Sequence, residues 1–221
     1  MGDATGLSWS QLTHWRTECY QRFGSIRHLP LWSPQEELGS LLNPATCVLD
    51  IGAGVNKPLK QSIRLSTQRY FSLDTDPAGQ FDFHSFEDIP THVEFDLMVA
   101  NQVLEHLTVA DVLATLRAAH GHLASDGHFL ATVPNPAHPV RQWGDATHMT
   151  AWPMYDLYGV FRAAGFYVRA LTRYNKHPLP RNPIKRIIVN VVCEVFRVDW
   201  CDSLMIVGQE VGKNAETSEG N

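Results

Sequence analysis

Cys47-Val48-Leu49-Asp50-Ile51-Gly52-Ala53-Gly54 is a buried-strand pattern that runs straight into two glycines, with an acid near its end. Twenty-four positions after Asp50, a second strand-like run, Tyr70-Phe71-Ser72-Leu73, closes on Asp74. A buried strand, a glycine turn and an acid at the end of the next strand form the grip that open α/β sheets place on an adenosine. Glycines suit the turn because no Cβ stands between the backbone and the ligand. The acid accepts hydrogen bonds from ribose hydroxyls.

The glycine spacing narrows the choice of adenosine compound. A dinucleotide site needs G-x-G-x-x-G, and its third glycine falls on Lys57. The phosphate-loop pattern G-x-x-x-x-G-K-[ST] is absent. D-x-G-x-G with an acid closing the second strand resembles the class I S-adenosylmethionine-dependent methyltransferases. Two further runs extend the resemblance. Phe95-Asp96-Leu97-Met98-Val99-Ala100-Asn101-Gln102-Val103-Leu104-Glu105-His106 is similar to that family's fourth-strand motif, and Gly127-His128-Phe129-Leu130-Ala131-Thr132-Val133-Pro134-Asn135 to its fifth strand. Together they cover roughly residues 45–210, and their order and spacing carry more weight than any one of them.

Composition frames this reading. A chain of 221 residues is expected to form one domain with a sizeable core. Its 44% hydrophobic and 19% charged content is that of a globular protein. The formal net charge is −5, which gives no global pull toward nucleic acid or an anionic membrane. Cys19, Cys47, Cys193 and Cys201 show no CxxC spacing and read as reduced thiols, so a cytoplasmic location is expected. No signal peptide and no apolar run of membrane-spanning length is visible.

Helical spacing covers Ser8 to Phe23. Ser33-Pro34-Gln35-Glu36 reads as a capped helix start, and Asn43-Pro44 ends that helix. Residues 1–44 thus form an N-terminal helical cover within the same domain, 45–211 the core, and 212–221 a polar tail expected to be disordered. Pro58 leaves room for only a short helix after the first strand. Phe81-Asp82-Phe83 is expected as a brief third strand. Val109 to Leu123 has a helix period, and Pro153 to Ala164 is a helix closed by Gly165. Phe166 to Leu171 and Leu204 to Gly208 are the last strands. Asn182-Pro183 opens a helix to about Phe196, although its Val and Ile content is also strand-like. Three prolines in Pro134-Asn135-Pro136-Ala137-His138-Pro139 require a loop at the ligand edge of the sheet.

The resemblance implies a doubly wound, seven-stranded Rossmann-like sheet, mostly parallel with an antiparallel last hairpin, and S-adenosyl-L-methionine as methyl donor. It implies Gly52, Ala53 and Gly54 beneath the methionine part, with Asp50 supporting the turn. Asp74 is implied for the ribose, Ser85 and Phe86 near the adenine, and Asn101 and Gln102 on the methionine side.

Methyl transfer from a sulfonium is an in-line displacement, and an alcohol acceptor also needs a base. His106, after strand four, and His148, in Gly144-Asp145-Ala146-Thr147-His148-Met149-Thr150-Ala151-Trp152, are the candidates by position; Asp145 either orients His148 or is the base itself. A loop-fixing role is the plain alternative for both histidines. Some relatives, the ubiquinone-type O-methyltransferases and the small-RNA 2′-O-methyltransferases, carry Glu-x-x-Glu-His, and the RNA enzymes add a later His to hold a divalent ion. The matching positions are Gln102, Glu105, His106 and His148; Gln102 removes a charge from the set and makes the metal the lesser expectation. Trp143, Trp152 and Tyr155 read either as a stacking surface or as a hydrophobic wedge. Arg169, Arg173, Lys176, His177, Arg181, Lys185 and Arg186 form a local basic bias, read as a solvated face or a phosphate contact. The expected acceptor is a sugar hydroxyl or another small molecule. Metal-assisted nucleic-acid 2′-O-methylation, against which the acidic balance counts, and a non-catalytic partner subunit are the alternatives.

Overall fold

Val48-Leu49-Asp50-Ile51 is buried along its whole length and forms β1 (Val48–Ile51). A computed structural model describes residues 7–63, 69–175 and 182–212. In it β1 belongs to a six-stranded sheet with β2 (Tyr70–Leu73), β3 (Phe95–Asn101), β4 (Leu123–Pro134), β5 (Tyr167–Tyr174) and β6 (Ser203–Gln209), in the order β2-β1-β3-β4-β6-β5. Strands β1 to β4 run parallel, and β6 lies antiparallel between β4 and β5. The chain leaves β1 to one side for β2 and returns on the other for β3. The strand order therefore reverses at β1/β3, and the carboxyl ends there form the switch point where such sheets bind ligands.

Side chains alternate between two apolar layers, as strands buried on both faces require. Leu49, Ile51, Met98 and Phe129 face α4 (Val109–Gly121) and α5 (Met154–Ala163), meeting Val112, Leu116 and Phe161. Val48, Leu97, Val99 and Leu130 face the other way, onto Leu38 of α2 (Pro34–Leu41) and the partly buried Leu59 and Ile63 of α3 (Pro58–Ile63). Helix α3 starts at Pro58 and is short, as the proline demands. Ser33 Oγ accepts from Glu36 N and Glu36 Oε2 accepts from Ser33 N, the reciprocal cap expected of α2. The last helix, α6 (Pro183–Phe196), starts where Asn182 Oδ1 accepts from Ile184 N at 2.9 Å. Its β-branched content did not make it a strand.

The seventh strand is the main departure. Phe81-Asp82-Phe83 lies along β2 without forming a strand: it makes one isolated parallel bridge, Phe83 with Leu73, and Asp82 N and Phe83 N donate to Ser72 O, both at 3.0 Å. Asp82 Oδ2 accepts from both Ser72 N (2.8 Å) and Ser72 Oγ (2.7 Å), so a side chain occupies a donor that a neighbouring strand would pair. The cover is also different in part. The N-terminal helix α1 (Trp9–Phe23) packs on α5, with Arg16 bidentate on Asp156 at 2.6 and 3.1 Å and Arg162 3.3 Å from Glu18. It lines none of the clefts below, whereas α2 lines one. The expected tail beyond Gly212 lies outside the described residues, as do Lys176, His177 and Arg181. Among the described residues no helix is long and apolar enough to cross a membrane.

Candidate active site

The glycine turn after β1 is tied to the end of β2. Gly52 N and Ala53 N donate to Leu73 O at 2.8 and 3.3 Å, and Gly54 N donates to Asp74 Oδ2 at 2.8 Å. Gly52 and Gly54 have φ of +66° and +62°, which an L side chain adopts only with strain. A Cβ on Gly52 would meet Val103 Cγ2 at 2.5 Å, whereas one on Gly54 would stand in open space. The turn is thus shaped for close approach on one side and packed against the β3 turn on the other.

A cleft of about 510 Å³ opens beside Gly52 and Val103, lined also by Asp74, Ser85, Phe86 and Gln102 among others. Asp74 Oδ1 also accepts from Asp76 N at 3.0 Å, so the carboxylate is held in place at the cleft wall by two backbone donors. Asp50, Ala53 and Asn101 line a second cleft of about 400 Å³, walled by α2 and sharing Gly52 with the first. Asp50 does not bond the turn, contrary to expectation: its Oδ2 accepts from Tyr70 Oη at 2.6 Å. Burial pushes the Asp50 carboxyl up to about 6 against that hydrogen bond. The expected adenosine-side residues thus line the first cleft; of those expected at the methionine part, Gln102 lines the first, Asp50, Ala53 and Asn101 the second and Gly52 both, while Gly54 lines neither.

Gln102 sits at φ +58°, a left-handed conformation in a non-glycine residue at the ligand edge. Its backbone N donates to Thr132 O at 3.0 Å and its Nε2 to Thr132 Oγ1 at 3.2 Å; Thr132 Oγ1 in turn donates to Asn101 Oδ1 at 2.6 Å. The end of β3 is thereby fixed to β4. The 3-10 turn Leu104–His106 follows, and the loop carrying His148 is fastened to it. Met149 N and Thr150 N donate to Glu105 O at 2.8 and 3.0 Å, Thr150 Oγ1 to Leu107 O at 2.6 Å, and Trp152 Nε1 to Leu104 O at 2.9 Å.

This fastening brings the His106 and His148 rings to 5.0 Å, centroid to centroid. His148 Nδ1 lies 2.8 Å from Gln142 O, and His106 Nδ1 lies 3.2 Å from Thr147 O. A carbonyl only accepts, and Thr147 Oγ1, 3.0 Å from His106 Nδ1, gives its own proton to Asp145, so in the neutral form of each ring the proton sits on Nδ1 and Nε2 has the lone pair. Asp145 Oδ2 is 3.9 Å from His148 Nε2, while Asp145 Oδ1 accepts from Thr147 N and Thr147 Oγ1. Those Thr147 bonds hold the exposed Asp145 carboxyl below its ordinary range, which makes it a weak base.

Glu105 is fully buried, and neither carboxylate oxygen finds a hydrogen-bond partner on another described residue. Burial pushes its carboxyl up to about 7. One ligand atom each from Glu105, His106 and His148 lies within 4.8 Å of the others. An orphaned buried carboxylate beside two imidazoles with bare Nε2 atoms and carbonyl-anchored Nδ1 atoms fits a divalent cation. Gln102 is turned to Thr132, so this donor set does not depend on it. Sequence reading weighs Glu105 only as a metal ligand; its orphaned state follows from burial, which spacing does not reveal.

The three residues line a third cleft of about 440 Å³ with Pro134, Arg141 and Asp202, and this cleft shares Gln102 and His106 with the first. Arg141 is paired to Asp202 at 2.6 Å. The proline loop that walls it is pinned by buried Asn135, whose Nδ2 donates to Asp199 Oδ2 and Cys201 O, both at 3.0 Å. The expected aromatic cluster does not assemble as one surface: Trp152 is buried, Tyr155 Oη donates to Gly24 O, and Trp143 is exposed.

A switch-point sheet, a glycine turn at positive φ and a carboxylate closing β2 are now together, and the methyltransferase domain family matches residues 20–171. The chain belongs to that family. It is an S-adenosylmethionine-dependent methyltransferase. Solved structures share its fold at low identity. A SAM-dependent methyltransferase from Archaeoglobus fulgidus superposes with TM-score 0.60 at 15% identity, over 87% of this chain and 98% of that one. A putative methyltransferase from Haloferax volcanii, solved in complex with its Trm112 activator, gives 0.58 at 17% identity, over 91% and 96%. A putative sarcosine dimethylglycine methyltransferase from Galdieria sulphuraria gives 0.54 at 13%, over 90% and 98%. No curated protein matches the sequence.

Proposed function

We propose that this methyltransferase acts on a hydroxyl of a sugar or another small molecule, with His148 as the base. The observation that supports it most is the shared wall of the two clefts at Gln102 and His106, which sets the adenosine side against the side holding His148. On this reading Asp74, Ser85 and Phe86 hold the adenosine, and Gly52, Ala53, Gly54, Asn101 and Gln102 hold the methionine part. S-adenosylmethionine supplies an activated sulfonium methyl for in-line displacement. His148 Nε2, left unprotonated by the Gln142 carbonyl, takes the acceptor's proton. Asp145 near His148 Nε2 stabilises the imidazolium that results. Labelled methyl donor and a panel of hydroxylated acceptors test this. His148→Ala should cut kcat by about 10²-fold or more while leaving donor binding intact. An equal rate in the variant sinks the assignment.

The orphaned Glu105 carboxylate supports a second reading, in which Glu105, His106 and His148 hold a divalent cation beside the acceptor. Two imidazoles and one carboxylate favour a borderline ion such as zinc, manganese or iron(II) over magnesium. Such an ion would lower the pKa of an acceptor hydroxyl. Calorimetry with manganese separates the two: stoichiometric binding that Glu105→Gln removes favours the metal, and no heat favours the free base.

A further inference from the structure

Helix α6 turns its apolar face away from the protein. Of its 14 residues only Cys193 is buried. Ile184, Ile187, Ile188, Val191 and Val195 are each more than half exposed. Their spacing of three and four residues puts them on one stripe. Val189 and Cys193, on the opposite side of the helix, line a cleft against the body with Leu31, Arg173 and Trp200. The helix thus rests on the protein by one edge and offers a continuous Ile/Val surface outward.

Charge indicates what covers that surface. Between residues 176 and 197 the sequence carries five basic residues and one acidic one, in a chain of formal net charge −5. Lys185 is exposed at the start of α6 beside the stripe, Arg186 is exposed on the side toward the body, seven residues before Cys193, and Arg197 follows the end of the helix. The single acid, Glu194, is paired with Arg27. Two copies joined symmetrically through this face would bring the basic ends of α6 together, either Lys185 on itself or on Arg197. An anionic surface meets them with opposite charge. A 14-residue helix is about 21 Å long, too short to span a bilayer but long enough to lie on one.

Position gives the surface a role. Helix α6 links β5 to β6 at the end where Tyr174 pairs with Ser203 and Ser203 with Pro134. Pro134, Asp202 and Ser203 line the cleft that holds His148. We infer that α6 docks the enzyme on an anionic membrane, flat in the surface, with the Ile/Val stripe at the headgroup–acyl boundary and Lys185, beside the stripe, on lipid phosphates. This sets the His148 edge of the sheet beside the bilayer.

Co-sedimentation of the full chain with vesicles tests it. The wild type should partition onto phosphatidylcholine vesicles containing phosphatidylglycerol and not onto phosphatidylcholine alone, and salt should weaken it. Lys185→Gln should lower partitioning roughly fivefold. Ile188→Glu with Val191→Glu should abolish it with an unchanged melting temperature, because both sites are exposed. Three results overturn the inference: no wild-type binding to the anionic vesicles at low salt, binding that the Ile188/Val191 variant retains, or a lipid-free dimer that the same variant dissociates. All are binding readouts, so none depends on which acceptor is methylated.

Discussion

Gly52 is where a single added atom does most harm. An alanine there takes a left-handed φ of +66° and drives its Cβ to 2.5 Å from Val103 Cγ2. Strain and overpacking together should destabilise the fold by about 2–4 kcal/mol. Gly54→Ala meets only the strain, about 1 kcal/mol, because its Cβ has open space. Val103→Ala should rescue part of the Gly52→Ala loss but none of the Gly54→Ala loss, and denaturant midpoints in the double-mutant cycle read this directly. Asp50 makes a different prediction. Its carboxyl is raised to about 6, so the stability it lends is full below its unfolded value near 4 and is lost as pH rises through 6. Asp50→Asn keeps an acceptor for Tyr70 and removes the buried charge. It should match the wild type near pH 4 and exceed it at pH 8 by up to about 3 kcal/mol, flattening the melting temperature between those limits. Parallel melting curves for the two proteins across pH 4–8 would refute this account of Asp50.

At the scale of elements, the strands and helices were legible where a local pattern and the packing agreed. β1 and β2 are short, wholly apolar apart from Asp50 and Ser72, and end on a glycine turn and an acid, so both their limits and the cleft they build follow from the sequence. The capped helix α2 was legible because its start signal is local, whereas α6 was less so, since the Asn182-Pro183 start competed with a strand-like Val and Ile content. Phe81-Asp82-Phe83 has the apolar alternation of a strand, but the Asp82 carboxylate takes the Ser72 donors, a choice made through space. Likewise the approach of His148 to Glu105 and His106 depends on bonds from Met149, Thr150 and Trp152 across more than forty residues. Strand β6 supplies a test of such through-space packing. Gly208 lies opposite both Phe129 and Val168, and a Cβ on it would come within 2.8 Å of Phe161 and Phe166. Gly208→Ala should cost about 1–3 kcal/mol by overpacking that aromatic cluster, although alanine is the better strand residue on propensity alone. A neutral or stabilised variant in chemical denaturation would mean that the cluster yields.

For the whole molecule, the cleft proposed for the adenosine gathers residues from far apart in the chain. Its wall takes Gly52 from the β1 turn, Asp74 from the end of β2, Phe86 from the following 3-10 turn, Gln102 from the turn after β3 and Thr115 from α4. A ligand seated there must hold all five in one arrangement, and it binds only the folded chain. S-adenosylhomocysteine at about one hundred times its dissociation constant should therefore add about 2.7 kcal/mol. For a chain of 221 residues that is a rise in melting temperature of about 5–10 °C. Asp74→Ala loses a charged acceptor for the ribose and a tie to Gly54 N, so its affinity should fall by about tenfold or more. At the same ligand concentration the shift should then shrink to about half or less. The unliganded variant should melt close to the wild type, because Asp74 is only half-buried and Gly52 N and Ala53 N still bond Leu73. Equal shifts in the two proteins would remove Asp74 from the ribose and move the nucleoside elsewhere on the switch-point edge.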